Sequence, residues 1–323
     1  MPKSRARVAY FNSGDIVEVK SLEEIRATLD SNGMYEGVPF MKEMHRFCGG
    51  TYRVFKRTDK ICVEREYSLD FRRMHDAVLL DEIRCDGSDH DGCQKLCMIF
   101  WKEAWLKPAP LLSKPAPPVD WVQERLPMRQ DPVDESKTYS CQSTAVFGAT
   151  EPLKVWDVRQ YVRDVRSGAL KPVELAGVLG QLVYNKVATK LRKPEFGAVL
   201  GSGTKTPSVS LGLRRGESVR VKSREEIVET LDAKGRNRGL YFAYDMERHC
   251  GRSLKVIAPV DRMILETNGK MKKMSNTVLL NGGECTGLCN RGCARKGHPL
   301  WREAWLARIG GAGAADSSSA SSG

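Results

Sequence analysis

The sequence predicts an α+β protein. Two small antiparallel β-barrels stand in tandem, each with a Cys-rich metal loop, joined by a proline-rich connector and a small helical unit. Three observations predict it. Residues Gly14 to Leu106 read GDIVEVKSLEEIRATLD…FCGG…VLLDEIRC…FWKEAWL, and Gly216 to Leu306 read GESVRVKSREEIVETLD…HCGR…VLLNGGEC…LWREAWL. Short alternating apolar stretches fill both copies, and thiols recur in both. A duplicated fold need repeat only its apolar pattern, so a repeated polar constellation points to repeated chemistry.

The elements follow in order. The copies align without a gap from Gly14–Glu64 to Gly216–Glu266, an offset of 202, and after small indels recover at Met74/Met274 and Cys85/Cys285. Each opens on an alternating strand, DIVEVK or ESVRVK, with one buried face. Ser21 and Ser223 are N-caps, and Glu24 and Glu226, three residues on, complete capping boxes. The helices so begun stop near Gly33 and Gly235. TYRVFKRTDKICVE and SLKVIAPVDRMILE alternate again, and AVLL or TVLL leads into the cysteines. Short strands, one inserted helix and Gly-marked turns fit an SH3-like barrel. In the closing W-[KR]-E-A-W-L, Trp101 and Trp105, like Trp301 and Trp305, sit four apart, as on one helical face, and read as core.

These signals divide the chain into a first repeat over 1–106, a connector over 107–139, a helical unit over 140–207, a second repeat over 208–310 and a low-complexity tail over 311–323. In the helical unit Val158, Tyr161, Val162 and Val165 are spaced for one helix ending at Gly168. Pro172 starts a second, with Val173, Leu175, Ala176, Leu179, Leu182, Val183 and Val187 as its apolar face.

Taken in order, Cys48, Cys85, Cys93 and Cys97 answer to Cys250, Cys285, Cys289 and Cys293. A thiol on a Gly turn facing three clustered thiols supplies four soft ligands, enough to close a tetrahedral zinc shell. Two zinc sites are expected, with iron–sulfur clusters as the alternative, because cysteines dominate cluster ligation and their spacing varies. Cys62 faces Ile264 in the alignment and reads as a strand-core thiol; Cys62, His90, His249 and His298 are candidate extra ligands, unmatched between the copies, and Cys141 has no partner in the repeat scheme.

A net charge of +12 is compatible with an anionic partner such as nucleic acid. Arg159, Arg163 and Arg166 share one helical face, and Arg291, Arg295 and Lys296 cluster at the second cysteine loop; these six are the candidate anion contacts. No apolar run reaches the length of a membrane span, and nothing apolar follows the basic N-terminal residues, so a cytoplasmic location with reduced thiols is expected. Walker, G-x-G-x-x-G, H-E-x-x-H and G-x-S-x-G motifs are missing, which leaves an enzymatic role open only to less common chemistries. The sequence thus predicts a metal-binding module for an anionic partner; a metalloenzyme of a specialised biosynthetic pathway and a protein-binding scaffold are the alternatives.

Two resemblances accompany this reading. Cys85-Asp86-Gly87-Ser88-Asp89-His90 resembles the C-D-G-S-H signature of the CDGSH iron–sulfur proteins, which implies Cys85 and His90 as iron ligands. It departs by the extra Asp89 and by lacking that family's upstream C-x-C pair, and the second copy reads CTGLC without a histidine. The repeat cysteines, the W-[KR]-E-A-W-L endings and the segment VWDVRQYVRDVRSG together resemble a group of uncharacterised bacterial proteins with tandem Cys-rich repeats. That likeness spans most of the chain and implies no activity, ligand or partner.

Overall fold

The computed structural model describes residues 10–65, 69–110, 114–116, 133–134 and 136–309. Most of the expected connector, all of the expected tail and the side chain of Cys289 lie outside the described residues. The chain forms two units. The first comprises Met1–Ala198, Val260–Ser275 and Glu284–Pro299; the second comprises Val199–Pro259, Asn276–Gly283 and Leu300–Gly323. The architecture is mixed α+β and rich in short strands. Among the described residues no helix is long and apolar enough to cross a membrane.

In the first unit β1 (Ile16–Val19) buries Val17 and Val19 through its alternation. The helix α1 (Leu22–Arg26) starts at Ser21, whose hydroxyl accepts the Glu24 N–H at 3.2 Å while the Glu24 carboxylate accepts the Ser21 N–H at 2.9 Å. This is the expected capping box. Next come β2 (Thr51–Arg57), β3 (Ile61–Glu64), β4 (Leu69–Arg73), β5 (Ala77–Arg84), β6 (Met98–Lys102) and β7 (Leu106–Pro108). One sheet has the order β6-β5-β2-β1-β7. Its two edge strands are separated in sequence only by the 3-10 turn Glu103–Trp105, so the sheet curls into a half-barrel. Trp101 and Trp105 are fully buried inside the curl, as core, but on a strand and a 3-10 turn rather than a helix. Backbone pairing at the sheet edge overrides the four-residue spacing that suggested helix. β3 and β4 form a separate hairpin.

After α2 (Gln142–Ala145) come α3 (Arg159–Arg166) and α4 (Pro172–Lys190). The apolar face expected on α4 is not the one that packs. Val173 and Val183 are 74% and 65% exposed, while Val178 and Ala188 are buried. Apolar residues occur on more than one side of this helix, so periodicity alone could not choose the inward side.

The second unit repeats the half-barrel. Its strands are β8 (Ser218–Val221), β9 (Ser253–Pro259), β12 (Thr277–Leu280), β13 (Trp301–Arg302) and β14 (Leu306–Arg308), in the order β13-β12-β9-β8-β14. The helix α5 (Arg224–Val228) carries the second capping box, with Ser223 and Glu226 in the roles of Ser21 and Glu24. Trp301 and Trp305 are fully buried, and each copy's last Trp donates its indole N–H to a threonine, Trp105 to Thr28 at 3.1 Å and Trp305 to Thr230 at 3.0 Å.

The remaining parts of the second repeat, the hairpin β10 (Arg262–Ile264) and β11 (Met271–Lys273) and the loop Glu284–Pro299, belong to the first unit. There the copies exchange contacts reciprocally. The Gln94 N–H donates to the Arg262 carbonyl at 3.1 Å, and the Ala294 N–H to the Lys60 carbonyl at 3.0 Å. The Ile264 N–H donates to Cys93 Sγ at 3.3 Å, and the Cys62 N–H to Cys293 Sγ at 3.1 Å. Each loop therefore docks on the other copy's strand.

These contacts correct the ordered pairing of the thiols. Cys85 N–H donates to the Cys97 carbonyl and Cys285 N–H to the Gly297 carbonyl, both at 2.8 Å. The loops thus match residue for residue at an offset of 200, so Cys93 answers to Cys293, Cys97 to Gly297 and Asp89 to Cys289. The turn geometry sets this register. Gly87 and Gly287 have φ of +72° and +77°, and in each a Cβ would stand 2.0 Å from the carbonyl oxygen of Cys93 or Cys293. Only glycine fits there. The thiols common to both copies are Cys48/Cys250, Cys85/Cys285 and Cys93/Cys293.

Candidate metal centre and thiol pocket

The centre assembles at one end of the first half-barrel. The 3-10 turn Lys42–Phe47 carries Glu43, the end of β5 delivers Cys85, and the loop after Gly87 brings back His90. Two ion pairs hold turn to loop: Arg46 to Asp86 at 2.6 Å and Lys42 to Asp89 at 3.4 Å. Asp86 also accepts from the Ser88 N–H at 3.0 Å and the Ser88 hydroxyl at 2.7 Å, the local turn that an Asp-Gly-Ser run favours.

Ligand-type atoms of Glu43, Cys85 and His90 lie within 4.8 Å of one another. The Cys85 thiol donates to Glu43 Oε1 at 3.0 Å. His90 Nδ1 stands 3.1 Å from the same oxygen, without the alignment of a hydrogen bond. Both His90 Nδ1 and Glu43 Oε2 are buried with no hydrogen-bond partner among the described residues. The His90 ring makes its hydrogen bond to the Ser140 backbone carbonyl. A metal-bound imidazole is held this way, one nitrogen fixed by a carbonyl and the other left to the ion. Orphaned buried polar atoms are costly and rare in proteins, so three converging ligand types with Glu43 Oε2 left without a hydrogen bond fit a cation at their centre.

The electrostatics agree with a tightly enclosed cluster. Burial alone would raise the Glu43 carboxyl, but the His90 ring and the Cys85 thiol beside it bring it below its usual range. Burial, then the Glu43 charge, pushes the Cys85 thiol well up. Burial would lower His90, and the Glu43 carboxylate more than reverses that.

Behind the cluster lies a cavity of about 30 Å³, walled by Cys85, His90, Cys93, Cys97 and Cys141 together with apolar side chains such as Met41, Met98 and Phe100. It has room for an ion with a water and is small beside the roughly 300 Å³ or more of a metabolite pocket. Burial, with the Cys97 charge next in weight, pushes the Cys93 thiol up to about 11. Beneath the wall a buried ionic knot joins the copies. Arg295 forks onto Glu266 at 2.9 and 2.6 Å, Lys95 reaches Glu64 at 3.0 Å, and the Glu64 N–H donates to Glu266 at 2.8 Å.

Among the described residues, which leave out the Cys289 side chain, no three thiols of either expected set lie within metal-binding reach of one another. Among the described residues, Glu43, Cys85 and His90 form the one group of three ligand types within metal-binding reach. Cys48 packs on the first half-barrel's core, outside the cavity wall, and Cys250 on the second's. Both follow a Gly-turn geometry (Gly49 and Gly251 have positive φ), and burial raises both thiols. Cys285 accepts the Gly287 N–H at 3.3 Å, and Cys62 and Cys293 face each other. His249 is buried against Trp301 in the second unit, its ring centroid 5.8 Å from the indole. His298, deep in the first unit, is held down at about 3 by burial.

The six candidate anion contacts are largely occupied. Arg295 is the buried counter-ion of Glu266, Lys296 pairs with Glu82 at 2.5 Å, and Arg159 with Asp157 at 2.8 Å. Arg291 lies over the Phe71 ring at 4.0 Å. Arg163 is half-buried, and Arg166 remains exposed on α3.

Sequence reasoning missed Glu43 and Cys141. Glu43 sits 42 residues before Cys85 and looks like any helix-turn acid; Cys141 lacked a repeat partner. A usable signal existed for His90, which the CDGSH-like string placed beside Cys85. Comparison of the chain with protein-family models, with curated proteins and with solved structures finds no match.

Proposed function

We propose that this is a metal-binding protein on two SH3-like half-barrels, its ion held by Glu43, Cys85 and His90 at the mouth of a thiol-lined cavity. What carries the reading is the convergence of ligand atoms of Glu43, Cys85 and His90 within 4.8 Å, with Glu43 Oε2 buried and without a hydrogen-bond partner among the described residues. The SH3-like assignment is supported by the sheet whose edges are joined through a 3-10 turn in both units. A mixed sulfur, nitrogen and oxygen donor set suits zinc or a neighbouring divalent transition ion. Three protein ligands leave a fourth position for water or a small ligand, the arrangement of reactive rather than purely structural zinc sites. This differs from two closed four-cysteine shells, and it belongs to the first repeat alone, since Asn290 stands where His90 does. An anionic partner remains a separate proposal: Arg295 and Lys296 are engaged by Glu266 and Glu82, while Arg166 is exposed on α3.

A second reading, an iron–sulfur cluster, is favoured by one observation: Cys85, Cys93, Cys97 and Cys141 share one cavity wall. Metal analysis with an absorption spectrum of anaerobically purified protein separates the two. Roughly one zinc per chain in a colourless protein, with a thiolate charge-transfer band on cobalt substitution, supports the single ion. Iron and sulfide in a brown protein support the cluster. Protein that stays metal-free after dialysis against zinc and cobalt, and after anaerobic reconstitution with iron and sulfide, refutes both.

A further inference from the structure

Cys62 and Cys293 stand apart from the proposed metal ligands, and nothing in their sequence positions pairs them. They are 231 residues apart and occupy different slots of the repeat. The reciprocal exchange of loops brings them together. At one crossing Cys93 of the first loop receives the Ile264 N–H, and at the matching crossing Cys293 receives the Cys62 N–H. Position 62 is cysteine where its counterpart 264 is isoleucine, so one crossing carries two sulfurs and the other one.

The Sγ atoms of Cys62 and Cys293 are 3.1 Å apart. The backbone around both is anchored: Arg295, two residues beyond Cys293, donates to the Cys62 carbonyl at 2.9 Å while its guanidinium is locked on Glu266. Reaching the roughly 2.05 Å of a disulfide asks the sulfurs to close by only about 1 Å. Cys293 is 4% exposed and Cys62 half-buried, so the pair is shielded from bulky reagents and the oxidant it suits is a small one.

We propose that Cys62 and Cys293 form a hydroperoxide-responsive dithiol that closes to a disulfide between the two repeats. The Cys293 thiolate attacks one oxygen of the peroxide; the O–O bond breaks, Cys293 becomes a sulfenic acid, and the departing hydroxide takes up a proton. Cys62 sulfur then attacks the Cys293 sulfur, the S–O bond breaks, and the hydroxyl leaves with the Cys62 proton as water. With hydrogen peroxide, two thiols and one peroxide give one disulfide and two waters. The local chemistry favours Cys293 as the attacking group. Its sulfur accepts the Cys62 backbone N–H at 3.1 Å and lies in sulfur–sulfur contact with Cys62, and these contacts, offset in part by burial, bring Cys293 down to about 7, while Cys62 is pushed well up. A disulfide here ties the Glu284–Pro299 loop to β3.

The test treats the full chain at about neutral pH with hydrogen peroxide, alkylates the free thiols and analyses it without reduction. Wild type is expected to migrate faster on a non-reducing gel, since a 231-residue loop is closed, to yield a Cys62–Cys293 crosslinked peptide by mass spectrometry, and to revert with dithiothreitol. Cys62→Ile places at this crossing the residue its counterpart already has; it is expected to keep the wild-type melting temperature and to lose the shift. Cys93→Ser is expected to keep the shift. Cys62 and Cys293 both recovered as alkylated thiols after peroxide treatment, or an unchanged gel shift in Cys62→Ile, overturns the proposal.

Discussion

Removing the charge of Glu266 tests the ionic knot that joins the copies. Its carboxylate is 1% exposed and accepts from both Arg295 terminal nitrogens, from the Glu64 N–H and from the Ser143 hydroxyl at 2.8 Å, with Lys95 at 3.8 Å. Burial opposes its ionisation, but Arg295 outweighs burial and holds the carboxyl down at about 2 against an ordinary 4.5. The folded value lies below the unfolded one, so the stabilisation is complete above about pH 4.5 and is lost as pH falls toward 2. Holding the carboxyl at about 2 rather than 4.5 is worth about 3 kcal/mol, of which about 2 is gone by pH 3. Glu266→Gln keeps the shape and leaves Arg295 buried without its counter-charge, a loss of about 3 to 5 kcal/mol at pH 7. The milder Ser143→Ala removes one hydrogen bond at about 1 kcal/mol. Urea unfolding at several pH values between 7 and 3 is the assay. The wild-type-minus-Glu266→Gln difference is expected to shrink by about 2 kcal/mol over that range. A difference that stays constant with pH, or one under about 1 kcal/mol at pH 7, refutes the reasoning.

Three further outcomes are expected. Cys85→Ser, His90→Ala and Glu43→Gln each lower bound zinc from roughly one per chain toward zero by elemental analysis, whereas Cys48→Ser and Cys250→Ser leave it unchanged. Gly287→Ala puts a Cβ 2.0 Å from the Cys293 carbonyl oxygen at a φ of +77°, and a thermal melt is expected to register a loss of about 2 kcal/mol or more. Burial holds His298 neutral with its value at about 3, below the unfolded 6.5, so its share of stability is present above pH 6.5 and is lost as pH falls toward 3. His298→Gln is expected to flatten the stability profile between those values, read by denaturant midpoints.

Much of the half-barrel was legible because its signals are local. Ser21 with Glu24 and Ser223 with Glu226 cap helices through atoms three residues apart, and the alternation of IVEV and SVRV decides a buried face without distant information. The tryptophans were legible as core but not in their backbone setting, since the spacing of Trp101 and Trp105 suits a helical face as well as a strand running into a 3-10 turn. The apolar face of α4 was misplaced for a related reason: apolar residues lie on several sides, and the neighbour decides which is covered. Within the site, Cys85 and His90 were singled out from six residues of one loop, but Glu43 comes from a separate turn and Cys141 from a separate helix cap. Counting cysteines in order also misled, because the loops are matched by the Gly87 and Gly287 turns and not by thiol rank.

The sequence by itself determined the duplication, the strands, the caps, the glycine-bound cysteine loops and the buried tryptophans, all consequences of short-range sterics, hydrogen bonding and apolar period. Only the tertiary structure decided that the loops dock reciprocally, that Glu43 and His90 meet Cys85, and that Cys62 lies 3.1 Å from Cys293. Apart from Cys85 and His90, which share one loop, those contacts join residues from about 40 to more than 200 positions apart. No periodicity reaches that far; what selects them is the burial of complementary charge and thiol surface once both copies have folded.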